Sequence, residues 1–202
     1  MNISRRKDEV RVIEPDLLLA AYAAGYFPMA DSRDGPIRWY SPDPRAIIPL
    51  DGLKISRSLR QVLKKNVYEI QVDKAFESVI RNCAARDETW ISEEIVQSYL
   101  ELHCLGFAHS VEAWREDLLI GGLYGVALGG AFFGESMFSR RRDASKVALV
   151  HLVERLRARE FVLLDTQFTT PHLKRLGVIE IGRDDYMQRL RRAIRLKRTF
   201  LD

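Results

Sequence analysis

Residues 110–138 read SVEAWREDLLIGGLYGVALGGAFFGESMF, and residues 144–167 read ASKVALVHLVERLRAREFVLLDTQ. The first stretch divides into three strands, 110–115, 118–124 and 131–138, separated by Asp117 and by Gly129-Gly130. Connections that short join antiparallel neighbours. In the second stretch Val147, Leu149, Val150, Val153 and Leu156 form the apolar stripe of a helix over 144–159. Phe161-Val162-Leu163-Leu164 follows as an unbroken apolar run, as in a strand covered on both faces. An antiparallel meander, a helix and a buried strand in this order predict an α+β fold, a mixed sheet flanked by helices.

Working outward, residues 67–72 alternate like a half-buried strand, and 74–85 and 92–105 read as helices, the latter opened by Ser92 with Glu93 and Glu94 behind it. Residues 55–65 carry Arg57, Arg60, Lys64 and Lys65 on one helical face and Leu59, Val62 and Leu63 on the other. Five of the seven prolines fall within residues 28–50, which reads as an ordered loop region rather than a helix or central strand. Downstream, 172–176 and 184–197 read as helices.

The chain has 202 residues, 47% apolar and 30% charged, enough for a packed domain with or without a small extra lobe. A net charge of +4 permits a nucleic-acid partner without demanding one. The apolar run 17–27 is half the ~20 residues a membrane-spanning helix needs, and Pro15 and Pro28 punctuate it as a soluble helix. Residues 1–10 are charged and lead into no apolar signal segment. The two cysteines, Cys83 and Cys104, form no CxxC pair, so a reducing, cytoplasmic setting is expected, with no membrane partner.

Two polar groups interrupt apolar surroundings. Glu135 stands among Phe132, Phe133, Met137 and Phe138, where a carboxylate needs partners. In a regular strand Glu135, Met137 and Ser139 share one face, and the acid serves either chemistry or an arginine pair. Asp165 and Gln167 follow the apolar run at period two, on one face. They suit positioning of an amine, the carboxylate orienting the amide whose oxygen accepts from N–H; the plainer reading is a strand-end cap. His103, Cys104 and His109 match no zinc spacing, and no GxGxxG or GxxxxGK[ST] loop occurs.

Further blocks complete the pattern: Ala21-Tyr22, Gly25-Tyr26-Phe27-Pro28, Trp39-Tyr40-Ser41-Pro42-Asp43-Pro44-Arg45, Ile55-Ser56-Arg57-Ser58 and Thr89-Trp90-Ile91. After them come His109-Ser110-Val111-Glu112-Ala113-Trp114-Arg115, Gly121-Gly122-Leu123-Tyr124-Gly125, GESMFSR at 134–140, Ala144-Ser145-Lys146 and Leu164-Asp165-Thr166-Gln167. In this order, over almost the whole chain, they resemble the leucyl/phenylalanyl-tRNA–protein transferases of the bacterial N-degron pathway. The resemblance implies a small N-terminal lobe, residues 1–50, joined to a domain over 51–202 like the acyl-CoA N-acyltransferases (GNAT-like). It implies transfer of Leu, Phe and, less well, Met from aminoacyl-tRNA to proteins that begin with Arg or Lys, without cofactor or metal.

By motif position the resemblance makes Asp165 and Gln167 the catalytic pair and Glu135 an acid of the same pocket. Trp90 corresponds to an aromatic stacked on the terminal adenine of tRNA, Tyr22 to a pocket residue nearby, and Leu123, Phe132, Leu149, Leu152 and Leu164 to the aminoacyl side-chain pocket. Arg57, Arg60, Lys64 and Lys65 fall where the family holds the acceptor stem. Two departures stand out: Met29 occupies a position that is often Trp in the family, and only about sixteen residues precede the first matching helix. Two other functions fit parts of the sequence. An acetyl-CoA-dependent N-acetyltransferase would share the fold, but residues 139–145 lack the glycines of a pyrophosphate loop. A non-catalytic RNA-binding module would use the basic end of the last helix, Arg189 to Arg198.

Overall fold

The computed structural model describes residues 12–201; the charged opening segment, residues 1–10, lies outside them. The first element among the described residues is helix α1 (Pro15–Ala23), with Pro15 and Asp16 in its first turn, where a missing N–H costs nothing and an acid meets the positive helix end. The hairpin β1 (Phe27–Ala30) and β2 (Ile37–Tyr40) forms a separate two-stranded sheet. Strand β3 (Arg45–Ile47) leads to α2 (Arg57–Lys64), then β4 (Glu69–Val72), α3 (Phe76–Ala84) and α4 (Glu93–Cys104). Ser56 and Ser92 cap α2 and α4 by accepting from Leu59 N and Ile95 N at 3.2 and 3.3 Å.

The meander is β5 (Ala108–Arg115), β6 (Leu118–Leu128) and β7 (Ala131–Ser139). Glu116 and Asp117 both take positive φ, 53° and 60°, the signature of a tight primed hairpin turn. Helix α5 (Ala144–Ala158) crosses back to β8 (Leu163–Gln167), followed by α6 (Pro171–Lys174), β9 (Ile179–Ile181) and α7 (Arg183–Ile194). The main sheet runs β4-β5-β6-β7-β8-β3-β9, antiparallel except for the β7–β8 pair.

Alternating strand residues feed two cores. Tyr124, Val126, Phe133 and Leu163 pack beneath α1, α3, α4 and α7, with Leu18, Ile80, Tyr99 and Leu190. Leu123, Phe132 and Leu164 pack beneath α5, with Leu149, Leu152 and Leu156. On the outer side of α5, Val147 and Val150 receive Leu59 of α2.

Two expectations change, and one strand was not foreseen. Residues 28–50 contain three strands, and β3 is interior, paired to both β8 and β9. Pro44 and Pro49 flank it rather than interrupt its ladder, so Ala46 and Ile47 pair freely. β3 therefore lies in the main sheet although its residues fall within 1–50. The buried strand predicted at 161–164 begins at Leu163 and extends through Gln167, because Ala46 and Ile47 pair with Gln167 and Asp165 and draw the polar triplet into the sheet. Strand β9 follows α6 at the sheet edge, with no apolar alternation long enough to signal it.

Candidate active site

Backbone pairing between the parallel strands β7 and β8 stops at Phe133 and Asp165. Beyond that point a cavity of about 370 Å³ opens between them. One wall is apolar: Leu123, Met137, Leu149, Leu152, Leu164 and Leu173. The other holds Glu135, Ser136, Gln167 and Tyr124, with Trp90 and Met29 also bordering the space.

The polar wall depends on a β-bulge. Tyr124 pairs with Ser136 and Gly125 with Gly134, leaving Glu135 as the extra residue of β7. Such an insertion re-aims the side chains beyond it. Met137 accordingly packs into the α5-side core, whereas Glu135 accepts hydrogen bonds from Tyr22 and Tyr99 on the opposite face, at 2.7 and 3.2 Å. Glu135 and Met137 thus do not share a face, contrary to the regular alternation expected. Gly125 opposite the bulge cannot be replaced without distortion, since a Cβ there would stand 2.2 Å from the Phe133 carbonyl oxygen.

Glu135 is held by neutral donors. Besides the two phenols, Gln167 Nε2 donates to its Oε1 at 3.0 Å. Burial pushes the Glu135 carboxyl up to about 7, opposed by the hydrogen bond from Tyr22 and reinforced by the Asp165 charge. Burial, and then the Glu135 charge, raise both Tyr22 and Tyr99 well above the ordinary tyrosine range, so both remain protonated donors.

Asp165 is held by a cation. Arg45 Nη2 and Nε donate to Oδ2 and Oδ1 at 2.6 and 3.0 Å, with both side chains almost wholly buried. Tyr186 donates to Oδ2 at 2.7 Å, and the Arg45 guanidinium lies between the Phe27 and Tyr186 rings at 4.8 and 4.6 Å. The second Asp165 oxygen accepts from the Gln167 backbone N–H at 2.9 Å. That clamp holds Gln167 at φ 59°, an uncommon conformation for a residue with a long side chain. Asp165 is fully buried and does not line the cavity. The structure thus places Asp165 behind Gln167 rather than on the cavity wall, and the carboxylate bonded to the Gln167 amide is Glu135, not Asp165.

The remaining expected site residues divide in the same way. Leu123, Leu149, Leu152, Leu164, Trp90 and Met29 line the cavity. Phe132 does not; its ring is fully buried against Phe200, centroids 5.2 Å apart, in the α5-side core. Tyr22 also stands off the cavity, reaching it only through Glu135. Arg57, Arg60, Lys64 and Lys65 are exposed on and just after α2, whose Leu59 faces α5.

Sequence reasoning missed Arg45, Tyr99 and Tyr186 as parts of this site. The one available signal was Arg45 itself, a charge set between a proline and the apolar Ala46-Ile47-Ile48. Among the described residues no group of three or more His, Cys, Asp or Glu side chains could hold a metal ion, and no helix is long and apolar enough to cross a membrane.

A family model described as leucyl/phenylalanyl-tRNA protein transferase matches residues 47–191, and the model of that family's N-terminal domain matches residues 11–43. A leucyl/phenylalanyl-tRNA–protein transferase of Rubrobacter xylanophilus is 59% identical over 189 residues, 93% of this chain and 98% of the relative. One from a Ruegeria species is 58% identical over 183 residues, 90% of this chain and 87% of the relative. A solved GCN5-related N-acetyltransferase-like protein from Streptococcus suis is similar at TM-score 0.36 and 13% identity, over 83% of this chain and 64% of that one. Matched by both models of the family and by near full-length relatives at more than half identity, the chain belongs to the leucyl/phenylalanyl-tRNA–protein transferases, which are aminoacyltransferases.

Proposed function

We propose that this transferase moves Leu, Phe and, less efficiently, Met from aminoacyl-tRNA to the α-amino group of proteins that begin with Arg or Lys, marking them for the N-degron pathway. One observation carries the reading: a single cavity sets an aliphatic wall against the Glu135–Gln167 pair. The wall formed by Leu123, Leu149, Leu152 and Leu164 receives the aminoacyl side chain. An apolar pocket grades such side chains by roughly 1–3 kcal/mol per methylene, so Leu and Phe are favoured and polar groups are rejected.

An aminoacyl-tRNA is an ester and already activated. The acceptor's neutral α-amine attacks the ester carbonyl, a C–N bond forms as the C–O bond to the ribose breaks, and the departing oxygen takes a proton originating on the amine. Gln167 gives its NH2 to Glu135 and keeps its amide oxygen for the incoming N–H. Ionised Glu135 adds a negative charge that favours a cationic or N–H-bearing group beside it. Asp165 and Arg45 keep Gln167 in place. Holding two reactants in register supplies ~7–11 kcal/mol of barrier reduction without any covalent enzyme intermediate.

Trp90 is assigned to the terminal adenine of the tRNA, with Met29 beside it in place of a second aromatic. Arg57, Arg60, Lys64 and Lys65 are assigned to acceptor-stem phosphates. The reading carries a cytoplasmic location with it, since charged tRNA is held where translation occurs. The test is incubation of the purified chain with labelled Leu-tRNA and peptides beginning with Arg, Lys or Ala. Label is expected on the Arg and Lys peptides; equal labelling of the Ala peptide, or no labelling of any, overturns the proposed substrates.

A further inference from the structure

Tyr124 lies on β6 opposite Ser136, beside the bulge that exposes Glu135. The residue is fully buried, its ring packed edge-on to Tyr99 and Phe76 with centroids 5.6 and 5.9 Å away. It also lines the cavity. Its hydroxyl oxygen is buried and has no hydrogen-bond partner among the described residues.

The three other phenols around the site are all engaged. Tyr22 and Tyr99 donate to Glu135, and Tyr186 donates to Asp165. Buried hydroxyls are nearly always partnered, because an unpartnered one keeps the full desolvation penalty of its oxygen. A phenylalanine in the same place would bury the same ring without that penalty. Tyr124, a residue of the cavity wall, therefore carries a buried polar atom that no group among the described residues engages.

The charged groups within electrostatic reach of the Tyr124 hydroxyl are Glu135 and Arg86, both on the cavity wall. Tyr99, packed edge-on to its ring, already donates to Glu135. A group drawn in beside the Glu135 carboxylate is an amine or ammonium, and a phenol oxygen accepts from N–H as a carboxylate does.

We propose that the Tyr124 hydroxyl is a substrate-binding group of the transfer site, accepting a hydrogen bond from an amine N–H held beside Glu135. This rests on reading the cavity as the place where aminoacyl group and acceptor meet. Two sources supply that N–H: the α-amine of the aminoacyl group, or the leading residue of the acceptor.

Tyr124→Phe in the full chain tests it, because only one oxygen is removed. The variant is expected to melt at or above the wild-type temperature and to bind uncharged tRNA unchanged. Its transfer of leucine from Leu-tRNA to an Arg-initiated peptide falls about tenfold or more, as for a lost hydrogen bond to a charged group. A higher KM for the peptide assigns the bond to the acceptor, a higher KM for Leu-tRNA assigns it to the aminoacyl amine, and a fall in kcat alone places it in the transition state. Transfer within twofold of wild type overturns the inference. A lowered melting temperature overturns it too, because the oxygen then had a partner inside the protein. Absence of transfer by the wild type in the same assay is a separate result, which removes the proposed substrates on which the inference rests.

Discussion

Asp165 and Glu135 are two buried-region carboxylates on adjacent parallel strands, and the structure treats them in opposite ways. Asp165 is given a full positive charge, Arg45, and a phenol, and is closed off from the cavity. Glu135 is given two phenols and an amide, none of them charged, and borders the cavity. A carboxylate neutralised by a guanidinium has its charge matched, and its Oδ1, shared with Arg45 Nε, also clamps the Gln167 backbone. A carboxylate held only by neutral dipoles keeps its charge uncompensated, which raises its proton affinity and leaves it available to a cationic partner. The bulge at Glu135 and the salt bridge at Asp165 create this difference; the two side chains differ by one methylene.

The largest effect expected from breaking this contrast comes from Arg45→Met, which strands Asp165 without its charge partner. The loss is about 3–5 kcal/mol, read from urea unfolding. Arg45→Met combined with Asp165→Leu is expected to recover most of it, because two apolar groups replace a pair rather than break one. A single variant that loses under 1 kcal/mol would show that Asp165 does not depend on the pair.

Next in size is Glu135→Gln, which keeps the shape and removes the charge. Transfer is expected to fall on the order of a hundredfold, with stability at pH 8 equal or higher. The pH profile sharpens the point. The folded-state value of about 7 lies above the group's ordinary 4.5, so the fold favours the protonated acid. Its contribution to stability is complete below 4.5 and is lost as pH rises through 7. The ionised form that can face an ammonium appears over the same interval, so transfer rises with pH around 7 while stability declines. In Glu135→Gln the limb near 7 is expected to vanish, leaving only that of the acceptor amine near ~8. Retention of the limb near 7 in this variant would assign the titration to another group.

The smallest effect per residue is expected outside the cavity. Changing Arg57, Arg60, Lys64 and Lys65 to Ala should lower the slope of log tRNA affinity against log salt by about 0.7–0.9 for each phosphate contact removed. Exposed charges are screened by salt, the buried Arg45–Asp165 pair much less so. Stability and transfer at saturating tRNA should remain near wild type, and an unchanged salt slope would move the stem contact elsewhere.

Much of this architecture is legible in residue order. The hairpin turns at Asp117 and Gly129-Gly130, the stripe on α5 and the Ser92 cap are signals written within a few residues of one another. The strands β3 and β9 were not legible, because each is three residues long and exists by pairing with a distant neighbour. Trp90, Met29 and four of the leucines expected at the pocket do border the cavity. Phe132 and Tyr22 do not, because the Phe132 ring is stacked on Phe200 within the core and hydrogen bonding sets Tyr22 behind Glu135.

What residue order alone determined is the set of local elements, the α+β class and membership of a transferase family, since propensity, periodicity and motif spacing are local quantities. What only the tertiary structure decided is which acid borders the cavity. Arg45 lies 120 positions from Asp165, and Tyr22 lies 113 from Glu135. A bulge that depends on how β6 meets β7 then sets the direction in which Glu135 points. Ionisation and access follow from burial and partners, and those are properties of the packed chain.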